Sequence, residues 1–575
     1  MWPPGTEEKG ETGLIDFIRI EEQSRQLFID ESSLKCVKAP VANAFMIEIL
    51  KSRGCRSPRW DLVHITADTD LYLISDCNFR GEVYVYLPEG ILSGTTFENS
   101  RIEGPVSVLS TGIISCMTLM PGSSVEFSGS ITWNNTPGCM SAFIDAGVET
   151  GERRVPLIPV LDHNEVAFLG SEHGRSAAED CLLIRTQMRD GLKGVLGAGA
   201  ALRHCSCMEN SIVLGKALID NPMAVRGSVI FDGASVTDGA LVRNSVLQWN
   251  SRADSFAVVE NSIVGECASV ERHGKLTGSF LGANSVLGEG EVTASVVGPL
   301  TGIHHQSLLI AAMWPGGLGN IGYGANIGSN HTSRLADQEI RPGTGQFFGL
   351  GTSVKFPSDF SGSPFTVIAT GLTIPPQRVR FPFSLLTLPS NCPSDIPEGW
   401  CRLIPGWMLY ENLYAVLRNE WKYKTRLSAV HTAVNASVFT PGLLDLVRDA
   451  KERLESDETR PISGAGKNYI IGDDRMKGID VYGKCLLACE LWRKYKNGTL
   501  LPGETGEALD LLDYIIECVT NSRMKDYFRG EKIIDDYSGV RPPLEEDVFL
   551  VFLADFLKPV KEALLASGGS HAERS

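Results

Sequence analysis

The 575-residue chain reads as a mainly-β protein: a three-sided parallel β-helix followed by an α-helical C-terminal domain. Three observations carry this reading. Apolar residues recur every six positions through the middle of the chain. Glycine is abundant, at 59 residues, without a collagen period, which signals many turns. From about residue 407 the texture changes to long stretches with apolar residues at three- and four-residue spacing.

Every sixth residue from Ile212 is apolar: Ile212, Leu218, Ala224, Ile230, Val236 and Val242. After a four-residue slip, a second series runs Val246, Arg252, Val258, Val264, Val270 and Leu276, broken only by Arg252. Leu281 to Leu287 and Ile321 to Ile327 repeat the step. Neither a helix nor an ordinary strand has such a period. Short strands joined by tight corners, three to a turn, would produce it: one apolar side chain per side fills the hollow, and Gly, Ser, Asn or Asp sits at the corner. FDGA, TDGA, RNS, VEN, LGEG and GYGAN supply residues that tolerate positive φ. No coil buries its face alone, so the coils are stable only as a stack. The competing explanation is chance phasing in a Val-rich β-sandwich.

Texture divides the chain. Residues 1–60 form an N-terminal segment with two short helical patterns, LIDFIRIEEQSRQLF and ANAFMIEILKS. Residues 61–150 form a first β-helix part and 196–390 the main β-helix. Between them, 151–195 is a more charged insertion with a helix. Residues 405–575 make the helical domain, through stretches such as GIDVYGKCLLACELWRKYKNG and TGEALDLLDYIIECVTNSRMKDYF. That domain is positioned to cover the open end of the stack, which would otherwise leave unpaired strand edges.

Composition narrows the function classes. With 53 basic and 69 acidic residues the formal charge is −16, which argues against a nucleic-acid partner or an anionic membrane surface. MWPPGTEEKGETG has neither a basic region nor an apolar core, and the longest apolar runs, SLLIAAMW and DVFLVFLADFL, are too short to span a bilayer. The expected location is therefore cytoplasmic, with no membrane insertion. The 14 cysteines are expected to be thiols there. Cys205 with Cys207 and Cys485 with Cys489 lack the second half of a zinc motif. The Asn-x-Ser/Thr sites at Asn134, Asn330, Asn435 and Asn497 are expected to be unused.

Two resemblances extend the reading. SVIFDGASVTDGALVRNSVLQWNSRADSFAVVENSIVGECASV resembles the C-terminal left-handed β-helix of sugar-nucleotide pyrophosphorylases, and hexapeptide-repeat (LpxA-like) transferases generally. No Gly-rich nucleotide loop followed by a Lys precedes it. The stretch GPLTGIHHQSLLIAAMWPGGLGNIGYGANIGSNHTSRLADQEIRPGTGQFFGLGTSVKFPSDF is similar to the DUF4954-type β-helix family, as are TVIATGLTIPPQRVRFPFSLL, IPGWMLYENLYAVLRNEWKYKTR and GAGKNYIIGDDRMKGIDVYGK. ILKSRGCRSPRW, DCNFRGEVYVY and ETGERRVPL resemble that family's N-terminal part. The resemblance implies a left-handed parallel β-helix and carries no activity. Relatives of this fold usually assemble as trimers with sites between subunits, so a homo-oligomer, trimer favoured, is implied.

Candidate chemistry gathers at the far end of the repeat. His304, His305 and His331 are three of ten histidines. By analogy with hexapeptide-repeat acyltransferases, His305 or His304 would act as general base toward an amine or hydroxyl attacking an acyl thioester, with acyl-CoA as a possible donor and no cofactor certain. Asp337 or Glu339 would orient it. Backbone N–H groups of GNIGYGANIGSN would steady an oxyanion. Asn320, Asn326, Asn330, His331 and Arg334, with the two carboxylates, would hold a sugar nucleotide or sugar phosphate. The alternative is structural: Asn caps corners, and His packs against Trp314 or satisfies a carbonyl.

Zinc is not expected. Adjacent His304 and His305 would point to opposite faces of a strand. GAGKNY lacks the earlier glycine of a phosphate-binding loop, so Lys467 is not a Walker lysine. GLGNIGYG has no βαβ unit around it. RNEWKYKTR reads as a solvated helix face with Trp421 packing inward. Three function classes stay open: an acyltransferase acting on a sugar or sugar nucleotide, a non-catalytic sugar-nucleotide or sugar-phosphate binding or regulatory protein, and an assembly scaffold.

Overall fold

The computed structural model describes residues 15–149, 153–328, 340–390, 392–456, 462–533 and 548–569. A parallel β-solenoid runs from Val63 to Thr387, with three sides built from two- to four-residue strands. One side is a 12-stranded sheet and another a 14-stranded sheet. The third is a ladder in which each strand pairs with the one a coil below. The strand Met117–Leu119 pairs directly with Gly194–Leu196. The 61–150 and 196–390 stretches therefore belong to one continuous stack.

The hollow is filled as the spacing requires, with one correction of phase. Val213 pairs with Ile230, Ile230 with Leu247, Leu247 with Val264 and Val264 with Leu281, each 17 residues on. Along one coil the inward residues are Val213, Ile219, Val225 and then Ile230, all fully buried. The steps are six, six and five. Ile230, Val236, Val242, Val264, Val270 and Leu276 point inward and share one core. The strict six-residue series is one position out elsewhere: Val225, Leu247 and Val259 fill the hollow, not Ala224, Val246 and Val258. Each five-residue side moves a six-residue frame by one residue, and strand alternation then turns the side chain outward.

The corners account for the recurrent Asn-Ser and Asp-Gly pairs. At one corner Asn210, Gly227, Asn244, Asn261 and Gly278 take left-handed backbone angles, again 17 apart. Directly after it, Ser211, Ser228, Ser245, Ser262 and Ser279 are fully buried. Each of the later four donates its N–H to the hydroxyl of the serine one coil below, at 3.1–3.2 Å. The hydroxyls in turn donate to backbone carbonyls two residues back. The buried polar column is thus satisfied internally.

Helices clothe the stack. α1 (Phe17–Ser24) packs beside the insertion, Arg19 donating to the Val160 carbonyl at 3.0 Å, whereas α2 (Ala44–Ser52) lies at the start of the stack. The insertion leaves the stack after Thr132 and rejoins it at Gly194, so it starts earlier than the expected residue 151, and it contributes an antiparallel pair, Phe143–Asp145 with Arg154–Pro156, then α3 (His163–Leu169) and α4 (Arg175–Gly191). With α1 it packs an apolar layer onto the outward residues Ile212, Val229, Phe231, Val246, Ile263 and Phe280 of one side. Burial of that outer row explains why the six-residue series also met apolar residues when out of phase. Beyond Thr387 the ladder turns antiparallel, Leu385–Thr387 against Cys401–Ile404, and the fold continues into α5 (Leu413–Arg426), α6 (Pro441–Ser456), α7 (Gly472–Lys496), α8 (Thr505–Ile533) and α9 (Val548–Gly569). Tyr482 on α7 donates to the Pro382 carbonyl at 2.6 Å, so the helical domain is bonded to the last coil. RNEWKYKTR on α5 is not a fully solvated face. Glu420 is buried and paired with Lys424, and Tyr423 donates to the Leu318 carbonyl at 2.5 Å.

Candidate functional site

The strand Gly302–His304 lies between Val286–Gly288 below and Asn320–Ile321 above. Ile303 fills the hollow, so Gly302 and His304 face outward. Glycines at 288, 302 and 322 keep this side low around the imidazole. A Cβ on Gly302 would meet His304 Nε2 at 2.6 Å and Asn320 Oδ1 at 2.9 Å, which places both polar atoms over the glycine.

His304 is half-buried. Desolvation lowers its pKa, the nearby His305 and Arg272 charges push the same way, and Glu271 opposes them. The ring is therefore held neutral at pH 7. His305 does not continue the strand. It sits at the corner with φ 52°, so the two rings are not on opposite faces but lie 6.0 Å apart. The corner position exposes the His305 side chain (57%).

Its orienting carboxylate is Glu289, one coil below and in the same left-handed conformation. His305 Nδ1 is 2.9 Å from Glu289 Oε2. The hydrogen bond to His305 is the main cause holding the Glu289 carboxyl below its usual range. Neutral His305 would carry its proton on Nδ1, assigned from that bond, and leave the Nε2 lone pair free toward solvent. Around the pair, Arg272 lies 2.8 Å from Glu271 and 3.8 Å from Glu289, and Arg252 lies 3.1 Å from Glu271. These exposed ion pairs are screened and shape the local field more than they stabilise the fold.

Other sequence candidates divide. Asn320 joins His304. Asn326 does not: its strand pairs with Leu308–Leu309, so it lies around the corner on another side. Asn330, His331, Arg334, Asp337 and Glu339 lie outside the described residues. Six of the expected oxyanion donors are already engaged, and Ser329 and Asn330 lie outside the described residues. The N–H groups of Asn320, Gly322, Gly324, Ala325, Asn326 and Gly328 all donate to backbone carbonyls, most of them one coil away. Stacking the coils consumes them. Among the described residues, no group of three His, Cys, Asp or Glu side chains could hold a metal ion. Glu289 and Arg272 were missed by reading along the chain. A step of one coil, 16 residues back from His305, would have found Glu289.

Comparison with known proteins places part of the chain. Residues 141–387 match the family model described as "Domain of unknown function (DUF4954)". The resemblance carried by the HHQ, NHTSR, ETGERRVPL and TVIATGLTIPPQRVRFPFSLL motifs holds over those residues, and ILKSRGCRSPRW, DCNFRGEVYVY and the motifs beyond residue 400 fall outside them. An "Uncharacterized protein" of Treponema pallidum (strain Nichols) is 30% identical over 187 residues, covering 32% of this chain and 25% of that protein. The chain thus spans about a quarter of that curated relative's length. A solved structure titled "putative acetyltransferase", from Desulfovibrio desulfuricans G20, aligns over 51% of this chain and 66% of its own, at 12% identity and TM-score 0.11. So loose a likeness carries no argument about activity. Among the described residues no helix is long and apolar enough to cross a membrane.

Proposed function

We propose, for a chain whose residues 141–387 are a DUF4954 region, that the side bearing His304, His305 and Asn320 is a small-molecule site whose chemistry is acyl transfer to a sugar or sugar nucleotide. The observation that supports this reading is the His305–Glu289 hydrogen bond beside a neutral His304. A carboxylate on Nδ1 fixes the tautomer and leaves Nε2 to accept a proton. His305 Nε2 would take the proton of an acceptor hydroxyl or amine as its oxygen or nitrogen bonds to a thioester carbonyl carbon. The C–S bond breaks, and the proton passes from His305 to the departing thiolate. Acyl-CoA is the donor this reading names. His304 and Asn320 would hydrogen-bond the acceptor. With the local N–H groups consumed by the ladder, oxyanion stabilisation would have to come from elsewhere, and a second copy in a homotrimer is the natural source.

That last point favours a second reading: a binding protein that holds a sugar nucleotide or sugar phosphate without turning it over. Release of free CoA by the purified full chain, assayed by chromatography over a panel of amino sugars and nucleotide sugars, separates the readings. Acyl transfer requires release with at least one acceptor and a loss of about 100-fold or more in His305→Ala. Binding alone requires a ligand-induced rise in melting temperature without CoA release. Neither response with any compound would leave an assembly scaffold and remove both readings.

A further inference from the structure

The corner that follows the third side of the solenoid carries a pattern visible only once the coils are stacked. Strand register sets Phe127 below His204, Phe256 below His273 and Tyr323 below Leu350, each pair one coil apart. The same register puts the second pair four coils above the first, and the third four coils above the second. At about 4.8 Å per coil, four coils span about 19 Å. Two coils with polar corners fill each interval: Asn221 and Asp238 in the first, Glu289 and His305 in the second.

The apolar members of the pattern stand in water. Phe127, Phe256, Tyr323 and Leu350 are each half exposed or more. The Phe127 and His204 rings lie 9° from parallel with centres 6.0 Å apart, and those of Phe256 and His273 lie 8° from parallel at 5.4 Å. All four of these residues have left-handed backbone angles, φ 48–62°, where Cβ crowds the following carbonyl. Phe365 and Phe383 take the same conformation but are buried, so packing offsets the strain there. Phe127 and Phe256 keep more than half of their surface in water. Gly239, one coil below Phe256, adopts the corner conformation without that cost. Large aromatic residues held in a strained conformation and left exposed mark a surface that is used outside the fold.

The alternation selects the partner. Asp238 is exposed, and Glu289 lies 2.9 Å from His305 in the next interval. A second copy laid antiparallel along the edge, apolar pair on apolar pair, would set Asp238 against Glu289 and desolvate both carboxylates. An anionic polymer would meet the same two groups. A neutral sugar chain fits both parts of the pattern: its ring faces are apolar and pack on aromatic side chains, and its hydroxyls donate to carboxylates and amides. From Phe127 to Tyr323 the edge runs about 38 Å, long enough to take such a chain lengthwise.

We propose that this edge binds a neutral, linear glycan lengthwise, with sugar rings resting on the Phe127–His204, Phe256–His273 and Tyr323–Leu350 pairs. Such a chain passes over His305, but the proposal does not require acyl transfer, and binding is measured on the full chain with no acyl donor present. The probes are unbranched dimers and hexamers of glucose, N-acetylglucosamine, mannose and galactose, with a hexamer of galacturonic acid, all titrated calorimetrically. At least one neutral hexamer should bind saturably and at least fivefold tighter than its dimer, because the longer chain bridges two pairs. Phe256→Gly relieves the strained corner, so its melting temperature should be held or raised while the hexamer binds at least fivefold more weakly. Tyr323→Ala should weaken the hexamer equally, and Phe256→Tyr should retain it. Absence of saturable binding by every neutral hexamer, a smaller gain with length, tighter binding of the galacturonate, or smaller losses in both weakening variants would overturn the proposal. A concentration-dependent dimer in sedimentation that Phe256→Gly dissociates would assign the edge to a second copy and overturn it as well.

Discussion

Glu266 is a buried carboxylate that the solenoid holds out to a backbone segment of the helical domain. Its oxygens accept from Val430 N at 2.7 Å, His431 N at 2.9 and 3.2 Å, and Thr432 N at 2.8 Å. One coil up, Asn284 Oδ1 accepts from Ser428 N and Ala429 N, at 3.2 and 3.1 Å. His431 stacks on Trp249 with ring centres 4.3 Å apart. The segment leaving α5 is thus read by side chains at one edge of the stack. Glu266→Gln keeps the volume but removes the charge and turns an NH2 group toward backbone donors. Hydrogen bonds to a charged group contribute about 1.5–3 kcal/mol each, and a substitution that retains one oxygen should cost about 2–4 kcal/mol of local stability. At 1.4 kcal/mol per factor of ten, amide hydrogen exchange at Val430–Thr432 should accelerate roughly 30- to 700-fold. Exchange of the core coils should not change. Exchange in that segment within about threefold of wild type would refute the assignment of Glu266 as its anchor.

Two further outcomes follow from local geometry. His163 opens α3 buried, with Nδ1 unpaired, and desolvation depresses its pKa, with Asp162 opposing. The unfolded chain takes up a proton near pH 6.5 that the folded chain refuses, so stability should fall as pH drops below about 6.5, by at most about 1.4 kcal/mol per pH unit. Glu165, whose carboxyl is raised by burial and opposed by Arg19, contributes the opposite slope at lower pH. Urea midpoints of wild type and His163→Phe between pH 5.5 and 7.5 isolate the histidine, and equal slopes would exclude its role. Gly302→Ala meets only the ends of two side chains, so the melting temperature should stay within about 2 °C. His304 and Asn320 must move, so the His304 NMR resonances should shift. Unchanged resonances would mean the ring is not seated over Gly302.

The fold was legible because each side of a coil buries one side chain, which writes a spacing into the sequence that helices and ordinary strands do not share. The five-residue side was not legible. Its frame shift falls among Val-Val and Ile-Val pairs such as Val258–Val259 and Ile263–Val264, where either residue looks apolar. The outer member is apolar for its own reason, as at Ile263, which packs beneath the insertion. His304, His305 and Asn320 were visible as residues, but their arrangement was not. Partners in a solenoid lie one coil away, so Glu289 stands under His305 while Asp337 and Glu339, nearer in kind to an expected motif, fall outside the described residues. The oxyanion reading loses six of its donors because glycine-rich backbone in a solenoid is already hydrogen-bonded to its neighbours.

The register that seats Glu289 beneath His305 is the register that turns Val259 inward and Val258 outward, so one pair of variants tests it most directly. Val259 is fully buried in the hollow. Val258 faces out between Leu241 and Lys275 on the adjacent coils. Val259→Asp should destabilise by about 4 kcal/mol or more, or prevent folding, because a carboxyl enters an apolar hollow without a partner. Val258→Asp, beside Lys275, should shift the urea midpoint by an amount worth less than about 1 kcal/mol. Equal effects, or the larger loss at Val258, would contradict the coil geometry and remove the basis for pairing His305 with Glu289.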